Sequence, residues 1–179
     1  MKIVQVPHSI LSEKVKPVSQ FDRRLATIVQ KMVTTLRNEK DPEGVGLAAN
    51  QVGLNMALFI MQSSKKAPLY VCINPKITFI EKIQNPTPQK KGKKTTRARL
   101  EGCLSIPRLW GYVARSPKVH LTYADLDGTI HEKAFTGFEA IIVQHEMDHL
   151  DGIVFTQRVI EQKRKLYQEI DGELEPLKI

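Results

Sequence analysis

His145-Glu146-Met147-Asp148-His149 reads H-E-x-x-H. On a helix the two histidines stand at i and i+4 on one face, with Cβ atoms about 5–6 Å apart, close enough for both imidazoles to reach one metal ion. Glu146 sits roughly 60° around that helix from His149, where a carboxylate can flank the metal as a base without binding it. Phe138, Ile141 and Ile142 precede the histidines on the same face. The ligands therefore point into an apolar interior, and a dry wall strengthens electrostatics and limits stray hydrolysis. With 5 histidines in 179 residues, the pattern arises by chance in roughly 0.01 chains of this composition. That ranks a metal site above two buried core histidines. The chemistry it suggests is hydrolysis by an activated water.

A catalytic zinc or iron site takes a third protein ligand and leaves one position open. A third histidine at H-x-x-G-x-x-H is excluded, because Gly152 is in place but Phe155 stands where the ligand would be. A glutamate some twenty residues downstream, Glu169, is the thermolysin-like option. The charged stretch Gln162-Lys163-Arg164-Lys165 makes its surroundings read as a solvated helix instead. Upstream lies Cys103, in Glu101-Gly102-Cys103-Leu104-Ser105. Alone it reads as a buried thiol. Beside an incomplete His-His site it becomes the third-ligand candidate, because a metal stabilises the thiolate. Cys72, within Leu69-Tyr70-Val71-Cys72-Ile73, reads as a packed strand residue.

The elements around these residues are short. Phe21, Leu25, Ile28, Val29, Met32, Val33 and Leu36 recur at helical spacing, and Ser19 is the capping candidate for that helix. The glycine-punctuated connection 44–53 follows, then strand candidates at 56–61, 69–73, 76–80, 118–126 and 129–135. Asp127-Gly128 marks a hairpin between the last two. A second helix covers about 137–150, with Asp151-Gly152 as its stop, and a third, more polar one covers about 157–170. The expected fold class is α+β. Short, mostly antiparallel strands pack around a central helix carrying H-E-x-x-H, a C-terminal helix follows, and one catalytic domain spans 1–179.

The net charge of +8 is local. Lys82, Lys90, Lys91, Lys93, Lys94, Arg97 and Arg99 fall in a segment with no acidic residue. Without those seven the chain carries 20 basic against 19 acidic residues. The segment 82–99 also holds Pro86, Pro88 and Gly92 and few apolar residues, so it reads as a mobile basic loop. It is either a solvated insertion or a contact for a polyanion such as RNA. It has no aromatic residue to stack a base on, which disfavours sequence-specific single-strand recognition. Met56–Met61 is the longest clearly apolar stretch, far short of a membrane span. Two cysteines make no disulfide framework, and no targeting signal is visible at the N-terminus. The expected location is cytoplasmic.

Three stretches together resemble peptide deformylase: Gly44-Val45-Gly46-Leu47-Ala48-Ala49-Asn50-Gln51, Glu101-Gly102-Cys103-Leu104-Ser105 and Gln144-His145-Glu146-Met147-Asp148-His149. The resemblance implies removal of the formyl group from the N-terminal formylmethionine of nascent chains, with release of formate. It implies Cys103, His145 and His149 as metal ligands with a water in the fourth place. Glu146 becomes the general base and acid, and the Gln51 amide and the Leu104 backbone N–H the oxyanion donors. It also implies a substrate bound as an added strand near Val45, Gly46 and Gly102. Val45, Phe138 and Ile142 are then candidates for the methionine pocket. Glu101 and Arg115 are implied as a bracing pair. The metal implied is Fe²⁺, with Zn²⁺ as the alternative occupant. The basic segment is longer and more cationic than the family's usual connection, so a ribosome contact through 82–99 is a further expectation. Asn50 and Arg108-Leu109 receive no role, and Trp110 has two readings, a wall of the methionine pocket or a closure of the core. Competing classes are a metallopeptidase that uses Glu169 and a silent binding module for nascent chains or RNA.

Overall fold

In the computed structural model, which describes residues 1–82 and 99–177, the first helix is the one the apolar spacing predicts. α1 (Arg23–Asn38) buries Leu25, Val29, Met32 and Leu36. Its cap is Asp22, not Ser19: the Asp22 carboxylate accepts the N–H of Leu25 at 2.9 Å. Asp22 sits three residues before the N–H it accepts, where a short carboxylate meets an otherwise unpaired first-turn donor.

A five-stranded antiparallel sheet runs β1 (Gly46–Ala48), β2 (Leu58–Met61), β3 (Tyr70–Ile80), β6 (Lys118–Ala124) and β7 (Ile130–Thr136) in spatial order. All four residues of β2 are buried, because the sheet is covered on both faces. Side chains alternate along a strand, so Leu58 and Ile60 join the cluster of α1, whereas Phe59 and Met61 face the second helix. Cys72 lies in that second cluster with no exposure. The stretches 69–73 and 76–80 are one strand, not two, bent by register shifts at Ile73/Lys76 and Ile77/Phe79. Pro75 sits at the first of these, where its missing N–H breaks no ladder bond.

α2 (Gly137–Leu150) carries the H-E-x-x-H motif and is covered on nearly every side. Ala140, Ile142, Val143, Gln144, Glu146, Asp148, His149 and Leu150 are all buried. Gly152 ends it with φ +73°, and a Cβ there would meet the Ser12 and Glu13 backbone at 2.7–2.8 Å. Glycine is therefore required both by conformation and by space.

A second sheet, of four antiparallel strands, covers the other side of α2. Its order is β4 (Arg99–Cys103), β5 (Ile106–Val113), β8 (Leu166–Ile170) and β9 (Glu173–Pro176). α3 (Phe155–Glu161) packs beneath it through Phe155 and Val159. The fold is thus α+β with antiparallel sheets around the H-E-x-x-H helix and a C-terminal helix, as expected. The helix is shorter than 157–170. It stops at Glu161, and 166–170 is a strand paired with β5. Most of the basic segment 82–99 lies outside the described residues. Among the described residues no helix is long and apolar enough to cross a membrane.

Candidate active site

β4 delivers Glu101, Gly102 and Cys103, α2 delivers His145, Glu146 and His149, and the 3-10 turn Ala49–Val52 delivers Gln51. Ligand atoms of Cys103, His145 and His149 lie within 4.8 Å of one another. Cys103 Sγ is 3.2 Å from His149 Nε2. His145 Nδ1 is engaged by Glu101 Oε2 at 3.0 Å, which leaves its other ring nitrogen for a metal. A carboxylate behind a ligating histidine fixes ring orientation and tautomer. Within the buried site, His149 Nδ1 and Glu146 Oε2 have no hydrogen-bond partner among the described residues. One thiol and two imidazoles with a further side open suit Zn²⁺ or Fe²⁺, so the donor set fits a divalent transition metal.

The second motif is braced by a chain of ion pairs. Arg115 donates to Glu101 through Nε at 2.9 Å and Nη2 at 3.0 Å, and through Nη1 to Asp148 Oδ2 at 2.5 Å. Arg158 from α3 holds the other oxygen of Asp148 at 2.7 Å. The expected Glu101–Arg115 pair is therefore the middle of a longer chain. Asp148 and Arg158 belong to it, although no sequence spacing ties Arg158 to the site. Gln144 fixes the same helix differently: its amide exchanges two hydrogen bonds of 2.9 Å with the Ser116 backbone.

Gln51 Oε1 accepts the Ala48 N–H at 2.9 Å. That bond turns Nε2 toward Cys103 Sγ at 3.4 Å and Ser105 Oγ at 3.3 Å. Asn50, which the sequence leaves without a role, donates to the His149 carbonyl at 2.6 Å. It ties the glycine-rich connection to the end of the ligand helix.

Burial and hydrogen bonding compete to set the protonation of these groups. Burial pushes the Glu146 carboxyl up to about 7, because a dry wall disfavours its charge. His149 is held well below the usual imidazole range by burial and by the charges on His145 and Arg115. For His145 burial favours the neutral ring, but its hydrogen bonds to Cys103 and Glu101 prevail and raise it. For Glu101 burial opposes the charge, and the bonds from His145 and Arg115 overcome it and lower the carboxyl.

These groups open onto a cavity of about 280 Å³ lined by Val45, Gly46, Gln51, Gly102, Cys103, Leu104, Phe138, Ile142, His145 and Glu146. The residues that the deformylase resemblance assigns to ligands, base, oxyanion donors and substrate contacts line this cavity, except His149, which is buried 3.2 Å from Cys103 Sγ. Pro42, Glu43, Leu100, Ile141 and Trp110 also line it. Trp110 lines the cavity rather than only closing the core. Glu169 is not a solvated helix residue. It lies on β8 and accepts the Trp110 indole N–H at 2.8 Å, away from the Cys-His-His cluster. The cavity lies between β1 and β4, the outermost strands of their sheets. Two strand edges facing one cleft can receive an extended peptide.

Comparison with known proteins identifies the family. A peptide deformylase of Rhodopirellula baltica is 34% identical over 99% of this chain and 81% of its own length. One of Desulforudis audaxviator is 37% identical over 88% and 92%. The crystal structure of the Thermotoga maritima peptide deformylase superposes with a TM-score of 0.74 at 30% identity, covering 88% of this chain and 95% of that one. An Arabidopsis thaliana peptide deformylase in complex with an inhibitor gives 0.76 at 32% identity, covering 90% and 83%. Residues 1–165 match the family model for polypeptide deformylase, a stretch that contains every group of the cavity, so the chain belongs to the polypeptide deformylase family.

Proposed function

We propose that this chain hydrolyses the formyl amide at the N-terminal formylmethionine of nascent polypeptides and releases formate, with Glu146 as general base and acid. One observation carries the reading: the Cys103, His145 and His149 ligand atoms converge within 4.8 Å beside the Glu146 carboxylate, in a cavity between two strand edges. Cys103 Sγ and the two histidines would hold a divalent metal, which would supply a nucleophilic water near neutral pH and polarise the formyl oxygen.

The remaining work falls to side chains of this protein. Glu146 removes a proton from the attacking water and hands it to the leaving amine, so formamide and water become formate and a free N-terminus. Gln51 Nε2 and the Leu104 N–H stabilise the negative charge that develops on the formyl oxygen. A preorganised donor of this kind lowers the barrier by about 2.7–4 kcal/mol. Val45, Phe138 and Ile142 receive the methionine side chain, while Gly46 and Gly102 let the substrate backbone approach both strand edges. Fe²⁺ is the proposed native metal and Zn²⁺ the alternative, and a cytoplasmic location fits a nascent-chain substrate. The basic segment 82–99 is proposed to aid docking near ribosomal RNA. Serines in place of Lys90, Lys91, Lys93 and Lys94 should then weaken ribosome binding and flatten its salt dependence.

The test is formate release from a formyl-Met-Ala-Ser peptide by protein prepared without oxygen. Turnover should disappear on chelation and return with Fe²⁺. Turnover that survives complete removal of metal would overturn the metal assignment, and a metal-loaded protein that cleaves an internal peptide bond instead would favour a metallopeptidase.

A further inference from the structure

Trp110 is the chain's one tryptophan, and its surroundings are those of a fixed surface. It stands opposite Gly102 of β4 and opposite Tyr167 of β8. Directly opposed residues of antiparallel strands share a face, so Gly102, Trp110 and Tyr167 point the same way. Glu169, two residues along β8, points that way too. The indole ring lies over Gly102, where a Cβ would come within 2.7–3.1 Å of three ring carbons. Its Nε1 donates to Glu169 Oε2 at 2.8 Å. Held at both ends, the ring forms one wall of the cavity with Leu100.

The opposite face of β4 carries Glu101 and Cys103 toward α2. The apolar lining from α2, Phe138, Ile141 and Ile142, is on that inner side. A peptide extended beside β4 alternates its side chains between the two sides. When the first side chain enters the α2 side, the next one projects toward Gly102 and Trp110. The surface it meets is a flat aromatic ring, backed by the Glu169 carboxylate.

We propose, on the basis of the deformylase reading above, that Trp110 is the specificity-determining residue for the substrate's second residue. Glu169 of β8 is its positioning residue. The favoured substrates carry an apolar or aromatic side chain at position two, which packs on the indole. An acidic side chain there faces the Glu169 carboxylate that backs the ring and is disfavoured.

The experiment compares kcat/KM for formyl-Met-Phe-Ala-Ser and formyl-Met-Asp-Ala-Ser, with a parallel pair varied only at position three. The parent should prefer phenylalanine over aspartate at position two. Trp110→Ala should shrink that preference by about five- to tenfold, mainly through KM, with little change in the position-three pair. Glu169→Leu should lower kcat/KM for the phenylalanine peptide and ease the penalty on aspartate, whereas Glu169→Gln, which keeps an acceptor for the indole N–H but not the charge, should hold the phenylalanine value and ease only the penalty. Metal content and the thermal midpoint of each variant exclude misfolding, and Trp110→Phe serves if the alanine variant does not fold. Because Trp110 is the one tryptophan, its emission reports binding without turnover. The product peptide Met-Phe-Ala-Ser should shift it, and methioninamide should not. A parent that releases formate but shows the same preference after Trp110→Ala, or an emission blind to Met-Phe-Ala-Ser, would overturn this proposal alone. A parent that releases no formate from either peptide would overturn the deformylase reading instead.

Discussion

The α-carbon of Gly46 stands against the carboxylate of Glu146: a methyl group built on Gly46 would overlap Oε1 and approach Cδ at 2.8 Å. The outermost strand of one sheet thus leaves the space that the proposed base occupies on the central helix. Ile142 Cγ2, at 3.0 Å from the same point, closes the other side.

Gly46→Ala is therefore expected to displace the Glu146 carboxylate while sparing Cys103, His145 and His149. A misplacement of about 1 Å can lower a rate by about 10²-fold. The variant should bind metal as the parent does and lose activity by about that factor. Unchanged kcat with an alanine at 46 would show that the carboxylate has room to move and that its position is not critical.

Arg115 is buried between Glu101 and Asp148, with 7% of its side chain exposed. Replacing it with methionine leaves the Glu101 carboxylate buried without its cationic partner, and breaking such a pair costs about 3–5 kcal/mol. Urea unfolding should register that loss. Metal affinity should fall by about 10–100-fold, because Glu101 would no longer be fixed behind His145. A variant as stable as the parent would mean that His145 alone holds Glu101 in place.

How much of this was legible in the sequence follows the range of the interactions. The His145/His149 spacing and the Asp151-Gly152 stop are local patterns within one element, found where expected, and so is the α1 stripe from Leu25 onward, whereas Phe21 lies before the helix and is exposed. The strand Leu166–Ile170 lies inside the stretch 157–170 where the sequence predicts a helix. Pairing with β5, a partner more than fifty residues away, decides the matter, and tertiary pairing overrides local propensity. The same holds for Glu169 and Arg158, whose partners Trp110 and Asp148 lie on other elements. Asn50 had no local signal because its partner is the backbone carbonyl of His149.

The hairpin between β6 and β7 carries a pH-dependent contribution. The Asp125 carboxylate accepts the N–H groups of Asp127 and Thr129 and pairs with His131 Nε2 at 2.6 Å. The bond with His131 chiefly holds its pKa below the usual carboxylate value. A depressed carboxyl stabilises the fold above its unfolded pKa, and that contribution vanishes as pH falls through the folded pKa. Asp125→Ala should be less stable than the parent at pH 6, and the difference should shrink below about pH 4. A gap that stays constant across that window would assign the effect to the backbone turn instead.

The two cysteines should differ in reactivity. Cys72 is fully buried in the sheet, and burial pushes its thiol up, whereas Cys103 borders the cavity. With metal chelated, the native chain should yield one thiol to an aromatic disulfide reagent and two once unfolded. Loading Fe²⁺ or Zn²⁺ should protect the reactive one. A native thiol that stays reactive with metal bound would remove Cys103 from the ligand set.

The most direct measurement is formate release and metal content, determined on the same anaerobic Fe²⁺-loaded samples of the parent and of Glu146→Ala. The account predicts one metal per chain in both, formate from the parent, and a rate at least about 10²- to 10⁴-fold lower in the variant. Formate released by Glu146→Ala at the parent's rate, or silence from a metal-loaded parent, would contradict it.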